Sequence, residues 1–389
     1  MDVFQATAAI RSYPPDTGGY QRTHGLMKAF PDFDDSVSRY CCTGPLATYY
    51  ADGEFISSSV EFGPDFVEER HYSLLHDVRK IMPLLGLPGF LWPVVFNSWV
   101  GDEIVQRASG CDVAIADHPF LALFLADNSD VPTVYSSHNV EYERYLSTAD
   151  GPLTEWFGSY LRNVEERAAR RAEAVVCTTE SDRQEFAKHN HSAFVIPNGV
   201  SEERVDTQAE PTDRAAYDIP ESAVVGVFLG SDYGPNVEAA EWLVNNWPLL
   251  DDEHHLLVLG DSGDGIEATA DNVHTTGYVE DLDGALTMAD IALNPISAGG
   301  GSNVKLIEYF AARLPVVSTP FGARGFDVAH EEHLLLADRA EFLDAVRELG
   351  ANEARRDTLR ENGYSLAAEE YTWESLSARF RDELARFEG

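Results

Sequence analysis

Short apolar runs alternate with stretches of helical spacing along the whole chain, the pattern of parallel sheets built from βαβ units. In the first half these runs predict strands over 38–42, 113–116, 133–136, 174–178 and 194–196, with a helix over 156–174. Pro197-Asn198-Gly199-Val200 breaks the pattern, and the residues that follow are polar and acidic, without apolar periodicity. The alternation restarts over 224–229 and runs into Gly230. Ala240, Leu243, Val244 and Trp247 then fall at i, i+3, i+4 and i+7, one face of a helix. Strands are predicted again over 256–259, 291–293 and 316–318, and the tail over 373–387 is helical in pattern. No repeat of solenoid period is present. The reading is α/β: two doubly wound βα domains, over 1–200 and 201–370, followed by a C-terminal helix over 371–389.

Composition supports two cores, since 44% of the 389 residues are apolar. Charge changes the picture more. Asp and Glu number 66 against 28 Lys and Arg, a formal net charge of -38, and the lysines are only Lys28, Lys80, Lys188 and Lys305. The acids are dispersed rather than gathered in a block. That reads as a surface adapted to concentrated salt, which screens self-repulsion, and it suits a halophilic archaeal source. Nucleic acid is excluded as a partner, because phosphate neutralisation needs clustered Lys and Arg. Cys41, Cys42, Cys111 and Cys177 match no zinc or redox spacing and read as buried hydrophobes of a reducing compartment. The N-terminus has no basic n-region before an apolar h-region, so the expected location is the cytoplasm. The stretch over 79–99 is apolar and broken by prolines, with Arg79-Lys80 at its head. It is expected to be a broken core helix beside a cleft; the alternative is peripheral contact with the inner face of a membrane, with Trp92 and Trp99 at the interface.

Candidate chemistry concentrates between Asn294 and Pro315. A predicted strand ends at Leu293, the loop Ser297-Ala298-Gly299-Gly300-Gly301-Ser302-Asn303 follows, and a mostly apolar helix begins. Glycines let backbone approach a ligand closely, and a helix start offers free N–H groups to an anion. The place is right, because open parallel sheets bind ligands at the carboxyl ends of their strands. Lys305 and Glu308 stand three residues apart on one helical face. A cation in a first helical turn is disfavoured by the helix dipole, and a bound anion resolves the conflict. Glu308 can accept hydrogen bonds from two vicinal hydroxyls. The bland alternative is an exposed Lys–Glu pair worth a few tenths of a kcal/mol. Asp261 and Asp264 suggest a metal, but no metal or cofactor is expected.

The run GGGSNVKLIEYFAARLPVVSTPFGARGF resembles the donor-site signature of glycosyltransferase family 4, group 1. Other pieces occur in that family's order: PPDTGGYQR, DVAIADHPF, VYSSHNVEYERY, VVCTTESDR, VIPNGV, VFLGSDYGPNVEAAEWL, LLVLGDSGD and HTTGYVEDL. The resemblance spans nearly the whole chain. It implies a GT-B fold, in which two Rossmann-like βα domains face a central cleft, with the C-terminal helix crossing back to the N-terminal domain. It also implies that Gly299, Gly300, Gly301, Ser302, Asn303 and Lys305 hold a donor diphosphate and that Glu308 binds the ribose. Tyr278 and Val279, after Gly277, would lie against the base. Gly18 and Gly19 would border the acceptor and phosphate side, His118 would contact the donor sugar, and His138 and Asn139 would end a neighbouring strand. By this carry-over His118, Lys305 and Glu308 are the catalytic candidates.

Two departures stand out. The family's first acid, eight residues before the second, is Gly300 here, and Gly230-Ser231-Asp232-Tyr233 replaces the basic residues that commonly follow the first strand of the C-terminal domain. Lys305 is then expected to be the sole basic group from this domain on the diphosphate. The resemblance implies a retaining hexosyltransferase that takes a UDP- or GDP-sugar to a glycan or lipid-linked acceptor in cell-surface glycan assembly. The alternatives are a nucleotide-sugar-binding subunit without catalysis and a Rossmann oxidoreductase. The last lacks its G-x-G-x-x-G after the first strand.

Overall fold

The computed structural model describes residues 1–7, 18–43, 59–72, 103–149, 151, 153–207, 209–268 and 270–387. The stretch over 79–99 lies outside the described residues. The chain divides into two units, Met1–Asn198 with Trp373–Gly389, and Gly199–Thr372. Among the described residues no helix is long and apolar enough to cross a membrane.

The first unit is built on eight strands: β1 (Asp2–Thr7), β2 (Ser36–Thr43), β3 (Ser59–Gly63), β4 (Phe66–Tyr72), β5 (Val113–Asp117), β6 (Thr133–Ser136), β7 (Ala174–Cys177) and β8 (Ala193–Val195). They lie in the order β3-β4-β2-β1-β5-β6-β7-β8. The β3–β4 pair is antiparallel and the other pairs are parallel. β5 and β7 are buried at every residue, as strands covered on both faces must be. β1 and β4 are not among the strands read from apolar runs, because they carry buried polar side chains. Arg39 Nε donates to Gln5 Oε1 at 2.7 Å, and Arg70 Nε donates to Glu68 Oε1 at 2.8 Å.

The helix Trp373–Leu384 completes this unit. Trp373 fills the space above Gly25, where an added Cβ would come within 2.2 Å of the indole. Ser377 Oγ donates to Leu26 O at 2.8 Å and accepts from Ala29 N at 2.9 Å. Arg381 reaches Asp35, which also takes the N-terminal amino group.

The second unit has six strands: β9 (Val224–Leu229), β10 (His254–Leu259), β11 (Val273–Thr275), β12 (Ile291–Asn294), β13 (Val316–Ser318) and β14 (Leu335–Leu336). Their order is β11-β10-β9-β12-β13-β14, parallel throughout. β11 has one apolar residue in three and β14 is two residues long, so neither registers as an apolar run. The predicted helix is Gly234–Asn246, and Trp247 caps its core face, fully buried. Gly226 leaves room for that indole, since a Cβ would approach it to 2.6 Å. Among the parallel strands of each sheet the order reverses at one place, beside β1 in the first and beside β9 in the second, and such switch points open a crevice at the carboxyl ends of the strands.

Candidate functional site

In the second unit the predicted donor residues follow the carboxyl ends of β11 and β12. The loop after β12 bends through Gly299, at φ 130°, and Gly301, at φ 62°, both in the region open to glycine. Gly299 packs beside Tyr233 and Pro235, at the start of the helix Gly234–Asn246. Asn303 is held in place, donating to Asn294 Oδ1 and to Gly322 O, each at 2.8 Å. Ser302 is buried beside it, and Gly300 is exposed.

Lys305 opens the helix Lys305–Ala311 and is buried, with 9% of its surface exposed. Its Nζ donates to Asn236 Oδ1 at 2.8 Å and stands 4.3 Å from the centroid of the Phe228 ring. Burial pushes its pKa down to about 7, against the pull of Glu308, and Arg324 pushes the same way as burial. A neutral amide and an aromatic face are modest compensation for a buried ammonium. The exposed Lys–Glu pair is therefore not what forms. Glu308 turns instead to Arg204, whose guanidinium Nη1 donates to its Oε1 at 3.2 Å.

Lys305 is not the sole basic side chain beside the loop. Arg324 Nη2 donates to Gly300 O at 3.1 Å, and its guanidinium lies 4.1 Å over the Phe321 ring. The residue was visible within PFGARGF, but nothing local distinguishes it from the other surface arginines. Gly277 adopts φ 66° and its carbonyl accepts from Gly260 N at 2.8 Å, which leaves the next residue, Tyr278, 80% exposed. Val279 is half-buried.

The first unit brings a second group together at the carboxyl ends of β1, β5 and β6. His118 follows β5 and takes φ 69°, ψ 150°, a conformation almost reserved for glycine and costing about 1–3 kcal/mol. Its ring lies 4.9 Å from that of His138, and its Nδ1 is 3.9 Å from Glu141 Oε1. His138 Nε2 is 3.5 Å from Asp117 Oδ1, an ion-pair distance without hydrogen-bond alignment. Asp117 is fully buried. Burial alone would raise its pKa, but His138, His118 and the Thr23 hydroxyl, donating at 2.9 Å, bring it down to about 2. Gly19 is in the same group, since a Cβ there would stand 3.5 Å from His138 Nδ1, whereas Gly18 faces open space. Asn139 Nδ2 donates to Glu141 Oε1 at 3.3 Å.

Sequence reasoning missed Glu141, which lies within the quoted SSHNVEYERY, and Glu165, which stands in a helix with no motif. Glu165 is buried. Its Oε1 accepts from Glu141 N at 2.9 Å and from the Tyr135 hydroxyl at 3.0 Å, and its Oε2 accepts from Tyr142 N at 3.1 Å. It thus caps the helix Glu141–Thr148 from which Glu141 meets His118.

Residues 56–204 match the family described as Glycosyltransferase Family 4, and residues 223–352 match that described as Glycosyl transferases group 1. No curated protein matches the chain in sequence. Among solved structures the chain is similar to a sucrose-phosphate synthase from Thermosynechococcus elongatus, with 16% identity and a TM-score of 0.70 over 99% of this chain and 98% of that one. It is similar to a trehalose-6-phosphate structure from E. coli bound with UDP-2-fluoro glucose, with 14% identity and a TM-score of 0.69 over 99% of both chains. Anabaena HepE in complex with UDP gives 14% identity and a TM-score of 0.67, with 99% of this chain and 100% of that one covered. At such identities the likeness establishes the fold. With one family in its first half and the other in its second, on two Rossmann-like sheets, the chain belongs to the GT-B glycosyltransferases.

Proposed function

We propose that the chain moves a hexosyl group from a UDP- or GDP-sugar to a hydroxyl of a glycan or lipid-linked acceptor, with retention, in the assembly of cell-surface polysaccharide or glycoprotein glycans. The observation that carries this is Lys305, a buried lysine that forms no ion pair among the described residues, placed beside a loop with two left-handed glycines where strand order reverses. A ligand with two or more negative charges supplies what that ammonium lacks. The loop residues Gly299 to Asn303 with Lys305 take the diphosphate, Glu308 takes the ribose, and Tyr278 with Val279 lies against the base. Anabaena HepE holds UDP and the E. coli structure holds UDP-2-fluoro glucose, which supports testing uridine donors first.

In the reaction the bond from the anomeric carbon to the diphosphate oxygen breaks, and both electrons leave with the diphosphate. The acceptor oxygen bonds to the same face of that carbon, and its proton passes to the departing diphosphate. Lys305, the loop N–H groups and Arg324 meet the charge that develops. His138, Asn139, Gly18 and Gly19 are the acceptor-side groups and His118 contacts the donor sugar, and the strain at His118 is the kind that persists where function requires it.

The test is thermal stabilisation in concentrated KCl by UDP, GDP, ADP and their sugars, on wild type and on Lys305→Ala and Glu308→Ala. One nucleotide should stabilise wild type and lose most of its effect on both variants. Equal stabilisation of all three proteins would remove the site assignment. Gly300 at the family's acidic position favours a second reading, a donor-binding subunit without catalysis. Binding with neither donor hydrolysis nor transfer over a wide acceptor panel would select it.

A further inference from the structure

We infer that Arg204 is the positioning residue that aims the Glu308 carboxylate at the donor ribose, an inference that rests on Glu308 taking the ribose at all. A carboxylate can receive two vicinal hydroxyls only if it is ionised and its side chain is held in one direction. The helix Lys305–Ala311 does not ensure that by itself. Lys305, one turn earlier, sends its ammonium to Asn236 and the Phe228 ring rather than to Glu308. Among the described residues the cation that pairs with Glu308 is Arg204, through Nη1 to Oε1 at 3.2 Å.

Arg204 uses the two edges of its guanidinium on two different carboxylates. Nη1 meets Glu308, and Nε stands 2.9 Å from Asp283 Oδ1. The Nη1–Oε1 contact is a hydrogen bond and sets the direction of Glu308, while the Asp283 contact, an ion pair without hydrogen-bond alignment, anchors the guanidinium by charge; a lysine ammonium on a flexible stem would keep the charge and lose the planar donor. Asp283 lies in the first turn of the helix Leu282–Thr287, a few residues after the exposed Tyr278. The bridge therefore ties the ribose acid to the segment that follows the base-binding turn.

The arginine is itself held. It belongs to the helix Glu202–Asp206, where Ser201 Oγ accepts from Arg204 N at 3.4 Å. Val200 N donates to Tyr371 O at 2.9 Å before it, and the Tyr364 hydroxyl donates to Val205 O at 3.2 Å after it. A bond at each end fixes the short helix against the rest of the second unit. An ordinary surface pair would leave both side chains well exposed, but Arg204 and Glu308 keep only 23% and 19% of their side-chain surface.

A merely structural salt bridge would change melting temperature and leave sugar recognition alone, so the readout is discrimination between ribose and deoxyribose. UDP, GDP and ADP and their 2′-deoxy and 3′-deoxy counterparts are titrated calorimetrically into wild type, Arg204→Ala, Arg204→Lys, Glu308→Ala and the Arg204→Ala/Glu308→Ala double variant. Wild type should prefer the ribose form of its nucleotide by about tenfold or more, the worth of hydrogen bonds to a charged group. Arg204→Ala should shrink that preference to about twofold with little change for the deoxy forms. Arg204→Lys, which keeps the charge and loses the geometry, should fall between, and it serves alone if the alanine variant does not fold. The double variant should be no worse than Glu308→Ala. If Glu308→Ala loses the preference and the Arg204 variants keep it, Arg204 has no positioning role and the ribose assignment stands. Tighter binding by Arg204→Ala would mean that Arg204 blocks the acid, and it overturns the proposal. If Glu308→Ala keeps the preference, or wild type has none, the ribose assignment fails and takes the role of Arg204 with it.

Discussion

Lys305 and Asp117 show how much a single side chain depends on what is packed around it. Asp117 is fully buried and still ionised, because two imidazoles and a hydroxyl face it. Lys305 forms no ion pair among the described residues, and burial brings its pKa down to about 7. The folded pKa of about 7 lies below the ordinary lysine value, so the folded chain binds fewer protons than the unfolded one between pH 7 and roughly 10. A bound diphosphate reverses this by favouring the charged form. At pH 8 nucleotide binding should take up most of a proton, and at pH 5.5 almost none, since Lys305 is already protonated there. Calorimetry in buffers of different ionisation enthalpy measures the uptake directly. Heats at pH 8 that are the same in every buffer, or an uptake that persists in Lys305→Ala, would show that Lys305 is not the group that meets the phosphates.

Among the elements, the helix Glu141–Thr148 draws its cap from another helix. It has no side-chain N-cap from the residue before it, and its first amides are satisfied from outside by Glu165. Burial pushes the Glu165 pKa up to about 8, although three donors converge on its oxygens. Truncation leaves two amides and a phenol without their acceptor, each worth about 1–3 kcal/mol when buried. Glu165→Ala should therefore lower the melting temperature by at least about 6 °C for a unit of this size. Hydrogen exchange should quicken at Glu141 and Tyr142 before it does elsewhere in the first unit. Glu165→Gln, which keeps one acceptor oxygen, should lose less. A melting temperature unchanged in Glu165→Ala would mean that the helix is capped by water instead.

For the whole molecule the dominating fact is a net charge of -38. Many of the arginines are spent on local pairs such as Arg183–Glu180, Arg360–Asp357 and Arg347–Asp344, three residues apart on one helix. Exposed pairs of this kind contribute little individually, and the unpaired acids repel. Stability should rise steeply with KCl between roughly 0.1 M and 2 M, where the Debye length contracts from about 10 Å to a few ångström. Thermal melts across that range, with sucrose as an uncharged control, test it. A flat profile would mean that the acids are balanced within the fold and that no salt adaptation exists.

What the chain determined alone is what periodicity and local chemistry record. Buried strands announce themselves as runs of Val, Leu and Ile, so β5, β6, β7, β9, β10, β12 and β13 were legible. β1 and β4 were not, because hydrophobicity does not register a strand that buries Gln5, Glu68 or Arg70. The loop from Gly299 to Asn303, with Lys305 and Glu308 behind it, was legible because all its parts lie within ten residues. The tertiary structure decided the partners. Arg204 reaches Glu308 across 104 residues of chain, Asn236 meets Lys305 across 69, and Glu165 holds Glu141 across 24. One sequence shows which side chains can pair, but which of them do is set by the packing of separate segments, and these contacts govern the charge of Lys305 and the direction of Glu308.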